Sequence, residues 1–120
     1  MLESYIVNGH PWSISCADPD PAKCGVDDKL MSDIPENIQK KVSEWIFGKL
    51  WKIDSPNYKH TSYTLKHLLE RQTKIYVTNN QMKDALLLEG FYPVKENELN
   101  WVYCVSQNSP AFTCEVKVNI

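Results

Sequence analysis

The segment that decides the fold is Thr61 to Ser106, which reads TSYTLKHLLERQTKIYVTNNQMKDALLLEGFYPVKENELNWVYCVS. Helix caps, apolar periods and turn residues agree along this segment, and they predict two short helices at residues 62–72 and 79–89. The linker from Lys74 to Val77 is too short and too rich in β-branched residues to continue either helix. Gly90 ends the second helix, as glycine often does at a helix C-terminus. The spacing is therefore that of a helix-turn-helix.

Extended segments are predicted after the second of these helices. Phe91 to Lys95 and Leu99 to Ser106 are separated by the polar residues from Glu96 to Glu98, which is the pattern of a β-hairpin. A further run from Ala111 to Val118 alternates apolar and polar side chains and predicts a half-buried strand. Together with a helix over residues 33–51, these elements predict an α+β fold that is winged-helix-like, with three helices, a C-terminal β-hairpin and an additional strand.

The helix over residues 33–51 is predicted from its start signal and its apolar stripe. Asp33 and Glu36 have the spacing of a capping box, and Pro35 is tolerated because the first helical turn needs no backbone donors. Apolar residues that recur every three or four positions form one core-facing stripe, which consists of Ile34, Ile38, Val42, Trp45, Ile46 and Leu50. Ser55 to Asn57 break the pattern, so we expect a connecting segment there.

The two shorter helices are each expected to have one buried face and one outward face. The inward positions are Leu65, Leu68, Leu69, Met82, Ala85 and Leu86, with Leu88 or Glu89 as a further one. The outward positions are Lys66, His67, Glu70 and Arg71 on the first helix, and Asn79, Asn80, Lys83, Asp84 and Leu87 on the second. Thr61 or Ser62 is the expected cap of the first helix. Thr78 and Gln81 form a predicted capping box for the second.

Length and composition bound the domain organisation. A chain of 120 residues with 42% hydrophobic residues is long enough for one core. Residues 31–120 are predicted to form this single domain, and residues 1–30 are predicted to be an irregular acidic arm with a short strand near residues 2–8. No apolar run is long enough to cross a membrane, and residues 1–9 lack a signal-peptide pattern, so we expect a cytoplasmic protein.

Charge is distributed unevenly along the chain, although the net charge is only -2. Residues 1–35 carry six acids and two bases, residues 36–83 carry four acids and nine bases, and residues 84–120 carry five acids and two bases. A basic central third can attract phosphates or an acidic partner surface. The same lysines are also typical of the solvated face of an amphipathic helix.

Motifs for catalysis and metal binding are missing from the sequence. There is no glycine-rich phosphate loop, no H-E-x-x-H motif and no nucleophile elbow, so we expect neither enzyme activity nor a cofactor. The four cysteines include no C-x-x-C pair. Cys16 and Cys24 with His10 would supply three zinc ligands, whereas a structural zinc site needs four, so we expect no metal.

A helix-turn-helix followed by a hairpin makes DNA binding one candidate function. In this hypothesis the helix over residues 79–89 enters a DNA groove, where Asn79, Asn80 and Gln81 would contact adenine. That helix carries a single base, Lys83, so other cations would have to hold the phosphates. The candidate nucleic-acid-binding residues are Lys59, Lys66, Arg71, Lys74, Asn79, Asn80 and Lys83.

The runs SYTLKHLLE, IYVTNNQMKDALLLEGF and NELNWVYCVS together resemble a group of small uncharacterised proteins carried by phages and integrative elements of Gram-positive and gut bacteria. The resemblance covers roughly residues 30 to 112 and implies no catalytic residues. It implies a mobile-element setting, in which small proteins of this size act as regulators or as inhibitors of host defence, such as anti-CRISPR proteins.

Acidic residues near both ends of the chain favour the inhibitor over the regulator. An inhibitor of a nucleic-acid enzyme commonly presents carboxylates to the basic groove that receives phosphates. The candidate protein-binding residues are Asp18, Asp20, Asp27, Asp28, Asp33, Glu96 and Glu98. Ordinary loop solvation explains the same carboxylates. We therefore expect a protein-binding module without catalytic activity that inhibits a nucleic-acid-processing defence effector of the bacterial host, with a winged-helix DNA-binding regulator as the alternative.

Overall fold

The computed structural model describes residues 6–7, 10–11, 29–95 and 98–113, and within them the chain has an α+β fold, as predicted. In chain order the elements are β1 (Ile6–Val7), β2 (His10–Pro11), a 3-10 turn (Met31–Asp33), α1 (Glu36–Lys49), β3 (Lys52–Thr61), α2 (Ser62–Thr73), α3 (Asn79–Leu88) and β4 (Val102–Val105). Residues 110–113 are again helical. The helices α1, α2 and α3 and the pair β3 and β4 enclose one apolar core.

The two short helices form where the caps predict them. Thr61 caps α2, because its hydroxyl accepts a hydrogen bond from the Thr64 backbone N–H at 3.5 Å. At α3 the Thr78 hydroxyl accepts from the Gln81 N–H at 3.1 Å, and the Gln81 side chain accepts from the Thr78 N–H at 2.9 Å. This reciprocal pair is the predicted capping box. The inward positions Leu65, Leu68, Leu69, Met82, Ala85 and Leu86 are all buried.

Helix α1 is confirmed, but its predicted capping box is wrong. The helix starts at Glu36, and Pro35 precedes it without a side-chain cap. Asp33 instead belongs to the preceding turn, where its carboxylate accepts a hydrogen bond from the Leu30 N–H at 2.8 Å. The apolar stripe faces the core as predicted: Val42, Trp45, Ile46 and Leu50 are buried, and Ile34 packs against them.

Strand β4 pairs with β3, so the predicted hairpin within residues 91–106 is wrong. The pairing is antiparallel, with Lys52 opposite Val105 and Thr61 opposite Val102. Residues 91–95 are not in a strand, and the winged-helix-like arrangement is not confirmed. Ten residues of β3 oppose four of β4, so the ladder carries irregularities on both sides of Asn57. A proline is tolerated next to such a bulge, which explains why the expected break at residues 55–57 is part of a strand.

The predicted strand over residues 111–118 is wrong where the structure describes it. Residues 110–113 are helical, and Ala111 and Phe112 are buried in the core. The Gln72 side chain ties this turn to α2 by donating to the Ala111 carbonyl at 2.8 Å, while its oxygen accepts from the Trp45 indole at 2.9 Å. The remainder of the predicted strand, residues 114–118, lies outside the described residues.

Of the predicted N-terminal arm, the structure describes β1, β2 and residues 29–30. Ile6 and Val7 pair antiparallel with Pro11 and His10, which agrees with part of the strand predicted near residues 2–8. Strand β2 lies against α3. The rest of the arm lies outside the described residues.

Trp101 and Tyr103 are the largest fully buried side chains of the core. The Tyr103 ring meets the Phe91 ring edge to face at 6.4 Å. The Tyr103 hydroxyl is buried and has no hydrogen-bond partner within the described part of the chain. Because burial disfavours the charged form, it raises the pKa of this phenol well above its usual range.

We expect Tyr103→Phe to leave the free energy of unfolding unchanged or to raise it by about 1 kcal/mol, because a buried hydroxyl without a partner costs desolvation energy. Urea denaturation of the two proteins measures this difference. The control is Tyr92→Phe, at an exposed ring that should show no change. A loss of more than about 1 kcal/mol in Tyr103→Phe would mean that the hydroxyl has a favourable partner.

Candidate functional site

Three polar side chains of α3 point into the protein and bond to the backbone of residues 29–31. Asn80 donates to the Lys29 carbonyl at 2.9 Å, and Gln81 donates to the Leu30 carbonyl at 3.2 Å. The Asp84 carboxylate accepts from the Met31 N–H at 2.9 Å. The prediction that Asn80 and Asp84 face outward is therefore wrong. Their hydrogen bonds to the backbone of residues 29–31 take the place of hydrogen bonds to water.

The remaining polar residues of α3 also have internal contacts. Asn79 accepts from the Ser62 hydroxyl at 2.9 Å and donates to the Leu99 carbonyl at 3.1 Å. Lys83 is fully buried, contrary to the prediction, and its ammonium lies 4.7 Å from the centroid of the Trp101 ring. On the face of α3 that the DNA-binding hypothesis places in a groove, Asn80 and Lys83 are therefore covered by protein and Asn79 is half-buried.

The other predicted nucleic-acid-binding residues lie on β3, on α2 and in the turn after α2. Lys59, Arg71 and Lys74 are exposed. Lys66 is only 7% exposed, so the prediction that it faces solvent is wrong. Its ammonium lies 5.5 Å from the Tyr63 ring centroid and 4.7 Å from that of Tyr76, a cation–π arrangement that accounts for the burial of a lysine.

A shallow depression lies along α2, and one of its lining residues, His67, contacts the Tyr63 ring. It has a volume of about 430 Å³ and is lined by His67, Glu70, Arg71 and Lys74. The His67 and Tyr63 rings pack edge to face, with their centroids 4.5 Å apart. Lys74 has a left-handed backbone, with φ 67°, and ends α2. We call the residues Tyr63, Lys66, His67, Arg71, Lys74 and Tyr76 the α2 surface.

The predicted protein-binding acids are described at two positions only. Asp33 is exposed in the turn before α1, and Glu98 is exposed in the loop before β4. The other predicted acids, which are Asp18, Asp20, Asp27, Asp28 and Glu96, lie outside the described residues.

Four exposed apolar side chains around two depressions form a second surface, which the sequence did not predict. Phe47 is 83% exposed, and Trp51, Ile53 and Tyr92 are each at least 40% exposed. Two adjoining depressions, of about 330 and 200 Å³, run between them and share the lining residues Lys52 and Phe91. We call Phe47, Trp51, Ile53 and Tyr92 the aromatic face.

Three elements of the fold bring the aromatic face together. The last turn of α1 carries Phe47, and the chain then leads through Trp51 into the start of β3. After α3 the chain turns at Gly90, whose φ of 83° suits glycine, and places Tyr92 beside β3. A Cβ at Gly90 would lie 2.8 Å from the Lys52 ammonium, which itself lies 5.1 Å from the Phe91 ring centroid. The glycine thus allows the close approach of Lys52.

A signal for this face is present in the sequence, because Phe47 falls outside the apolar stripe of α1. An aromatic residue on the polar face of an amphipathic helix has no place in that helix's own core packing. Tyr63 and Tyr76 likewise fall outside the inward positions of the central unit. Aromatic residues at outward helix and loop positions are therefore the sequence signal for both surfaces.

A third concave region lies between α1 and α3. It is a groove of about 460 Å³ with mixed lining, in which the Ser43 hydroxyl donates to the Glu89 carboxylate at 2.5 Å. Leu88 borders it and is 71% exposed, so the prediction of Leu88 as an inward position is wrong.

The described residues bring no three His, Cys, Asp or Glu side chains together in a way that could hold a metal ion. Within the same residues, no helix has the length and apolar character that crossing a bilayer requires.

Comparison with known proteins adds no relative from which a function could be transferred. No protein-family model matches the chain, and no curated protein or solved structure is significantly similar to it.

Proposed function

We propose that the protein is a protein-binding module without catalytic activity that docks on its partner through the aromatic face. The observation that carries this proposal is the exposure of Phe47, Trp51, Ile53 and Tyr92 around two adjoining depressions. Contiguous apolar patches of this kind are rare on monomers and often mark interaction sites. Trp and Tyr side chains are also the residues that most often dominate binding energy at interfaces.

The partner that we propose is a host protein in the bacterial cytoplasm, and more specifically a nucleic-acid-processing defence effector that the module inhibits in the manner of anti-CRISPR proteins. Support for this sharper form comes from the sequence resemblance and from carboxylates outside the aromatic face. Asp33 and Glu98 are both exposed and able to meet cations of a phosphate-binding groove. In this proposal the aromatic face supplies affinity, and the carboxylates supply preference for a basic partner.

The alternative of a winged-helix DNA-binding regulator receives less support from the geometry. Recognition of duplex DNA by this class depends on a helix whose side chains reach base edges in the major groove. Asn80 and Lys83 are fully buried in α3, and β4 pairs with β3 and not with residues 91–95. A regulator built on this chain would need a different element to read the bases.

Phe47→Ser tests the proposed interface. Because Phe47 is exposed, the substitution should leave thermal stability unchanged and reduce partner binding by about tenfold or more. The measurement is affinity capture from a bacterial host lysate with quantitative mass spectrometry, followed by direct titration of the captured protein. The matched control is Tyr58→Ser, at another exposed aromatic residue that lies outside the aromatic face.

Equal capture by the wild type and Phe47→Ser would contradict the proposed interface. Light scattering over a concentration series adds a second criterion. If the wild type has twice the monomer mass and Phe47→Ser has the monomer mass, the aromatic face serves self-association and the host-protein proposal is overturned.

Inhibition is tested in a separate experiment. The captured enzyme should lose nucleic-acid cleavage when the wild-type protein is added at equal concentration.

A further inference from the structure

The α2 surface contains a pair of tyrosines that its own lysine holds in place. The Lys66 ammonium lies 5.5 Å from the Tyr63 ring centroid and 4.7 Å from that of Tyr76. Each contact is an attractive cation–π interaction, which is stronger where the cation is removed from water. Both rings are therefore pre-ordered around one buried cation, so a ligand that uses them pays little conformational entropy on binding.

These rings remain available to a ligand although both contact Lys66. Tyr76 is 63% exposed, and half of the surface of Tyr63 is exposed. Neither ring contributes to the apolar core. Because both centroids lie within 5.5 Å of the same nitrogen atom, one short stretch of a flexible ligand can reach both rings.

The charge beside the rings is positive. The depression along α2 is lined by Arg71 and Lys74 against a single carboxylate, that of Glu70. Lys66 is a further cation, and its ammonium contacts both tyrosine rings. The fourth lining residue of the depression, His67, contacts Tyr63. This surface also belongs to the central third of the chain, where bases outnumber acids by nine to four. The complementary ligand is therefore an anion.

We propose that the α2 surface binds single-stranded nucleic acid, with bases stacked on Tyr63 and Tyr76 and phosphates held near Lys74 and Arg71. Exposed aromatic rings beside a basic groove are the combination by which proteins bind single strands without sequence preference. In a duplex the bases are stacked on one another and do not offer their faces to tyrosine. An acidic peptide would satisfy the cations but would leave the exposed rings unused.

This inference is independent of the proposed function, since the aromatic face and the α2 surface share no residue. A module with both surfaces suits a partner that is a complex of protein and single-stranded nucleic acid. If Phe47→Ser does not change partner binding, the proposal for the α2 surface still stands. If the α2 surface does not bind nucleic acid, the proposal for the aromatic face still stands.

Fluorescence anisotropy with a labelled single strand of about 20 nucleotides tests the proposal, with a duplex of the same length as comparison. We expect the wild-type protein to bind the single strand more tightly than the duplex. The Tyr63→Leu/Tyr76→Leu variant should bind at least about tenfold more weakly, because each stacked base contributes about 1–3 kcal/mol. Tyr63→Phe/Tyr76→Phe keeps the stacking rings and should bind within about twofold of the wild type. Tyr58→Leu, at an exposed tyrosine outside both surfaces, is the matched control and should bind like the wild type.

Salt dependence supplies a second readout that a purely structural role of the tyrosines would not change. Log affinity should fall with log salt by about 0.7 per neutralised phosphate, and Lys74→Ala should lower that slope by about the same amount. Lys74 is exposed, so this variant remains informative if the leucine variant does not fold. Absence of binding at low salt, preference for the duplex, or a folded leucine variant that binds like the wild type would overturn the proposal.

Discussion

Leu86→Ala is expected to lower the free energy of unfolding by about 2–5 kcal/mol, because the substitution removes buried methyl groups and leaves a cavity. Leu86 is fully buried in the last turn of α3, a helix whose N-terminus is capped by Thr78. Its neighbours Met82 and Ala85 are also buried, so the surrounding side chains can move little to fill the space. Urea denaturation followed by circular dichroism measures the difference.

Leu88→Ala is a close control for this measurement. It makes the same chemical change two residues further along the same helix, at a side chain that is 71% exposed. Alanine is a stronger helix former than leucine at both positions, so the difference between the two variants reports mainly the burial of Leu86. We expect Leu88→Ala to change the free energy of unfolding by less than about 0.5 kcal/mol. Equal losses in the two variants would show that α3 is rotated relative to the core described above.

The sequence predicts α1, α2 and α3 well because the signals for a helix are local. Thr61 and Thr78 lie directly beside the backbone donors that they cap, and the apolar stripe of α1 repeats within one element. The start of α1 is the exception. Asp33 can bond to residues on either side, and the choice between them depends on the path of the chain before it.

The pairing of β3 with β4 could not be predicted in the same way, because it joins residues far apart in the sequence. Asn57, which lies opposite Tyr103, follows a proline in a segment with the composition of a turn. Asn57 can be assigned to a strand only from its contact with β4, because its side-chain amide donates to the Val105 carbonyl at 3.1 Å. Residues 91–95 have a good local strand pattern but make one backbone bond to β4, from the Val94 N–H to the Val102 carbonyl.

The candidate sites were missed for a related reason. Helical periodicity distinguishes a polar face from an apolar one, but it does not say whether water or another part of the chain meets the polar face. On α3 the polar face meets residues 29–31, whereas on α1 an aromatic residue, Phe47, meets solvent. Both departures arise from contacts between elements, and both concern the surfaces that decide which partners the protein can bind.

Asp84→Ala should show how strongly residues 29–31 are held on α3, and we expect it to lower the free energy of unfolding by roughly 1.5–3 kcal/mol. The carboxylate accepts from the Met31 N–H in a buried position, and a hydrogen bond to a charged acceptor contributes more than a neutral one. Met31 is itself part of the core, so release of this backbone would also expose its side chain. Hydrogen exchange of the Met31 amide should therefore become faster in Asp84→Ala.

The control for this variant is Asp54→Ala, at an exposed carboxylate of β3, where a change below about 0.5 kcal/mol is expected. Asp84→Asn keeps a side-chain acceptor and should lie between alanine and the wild type. If Asp84→Ala unfolds like the wild type and the Met31 amide keeps its protection, then residues 29–31 are held by other contacts. In that case Asn80 and Gln81, which donate to the Lys29 and Leu30 carbonyls, would be sufficient to hold this segment on α3.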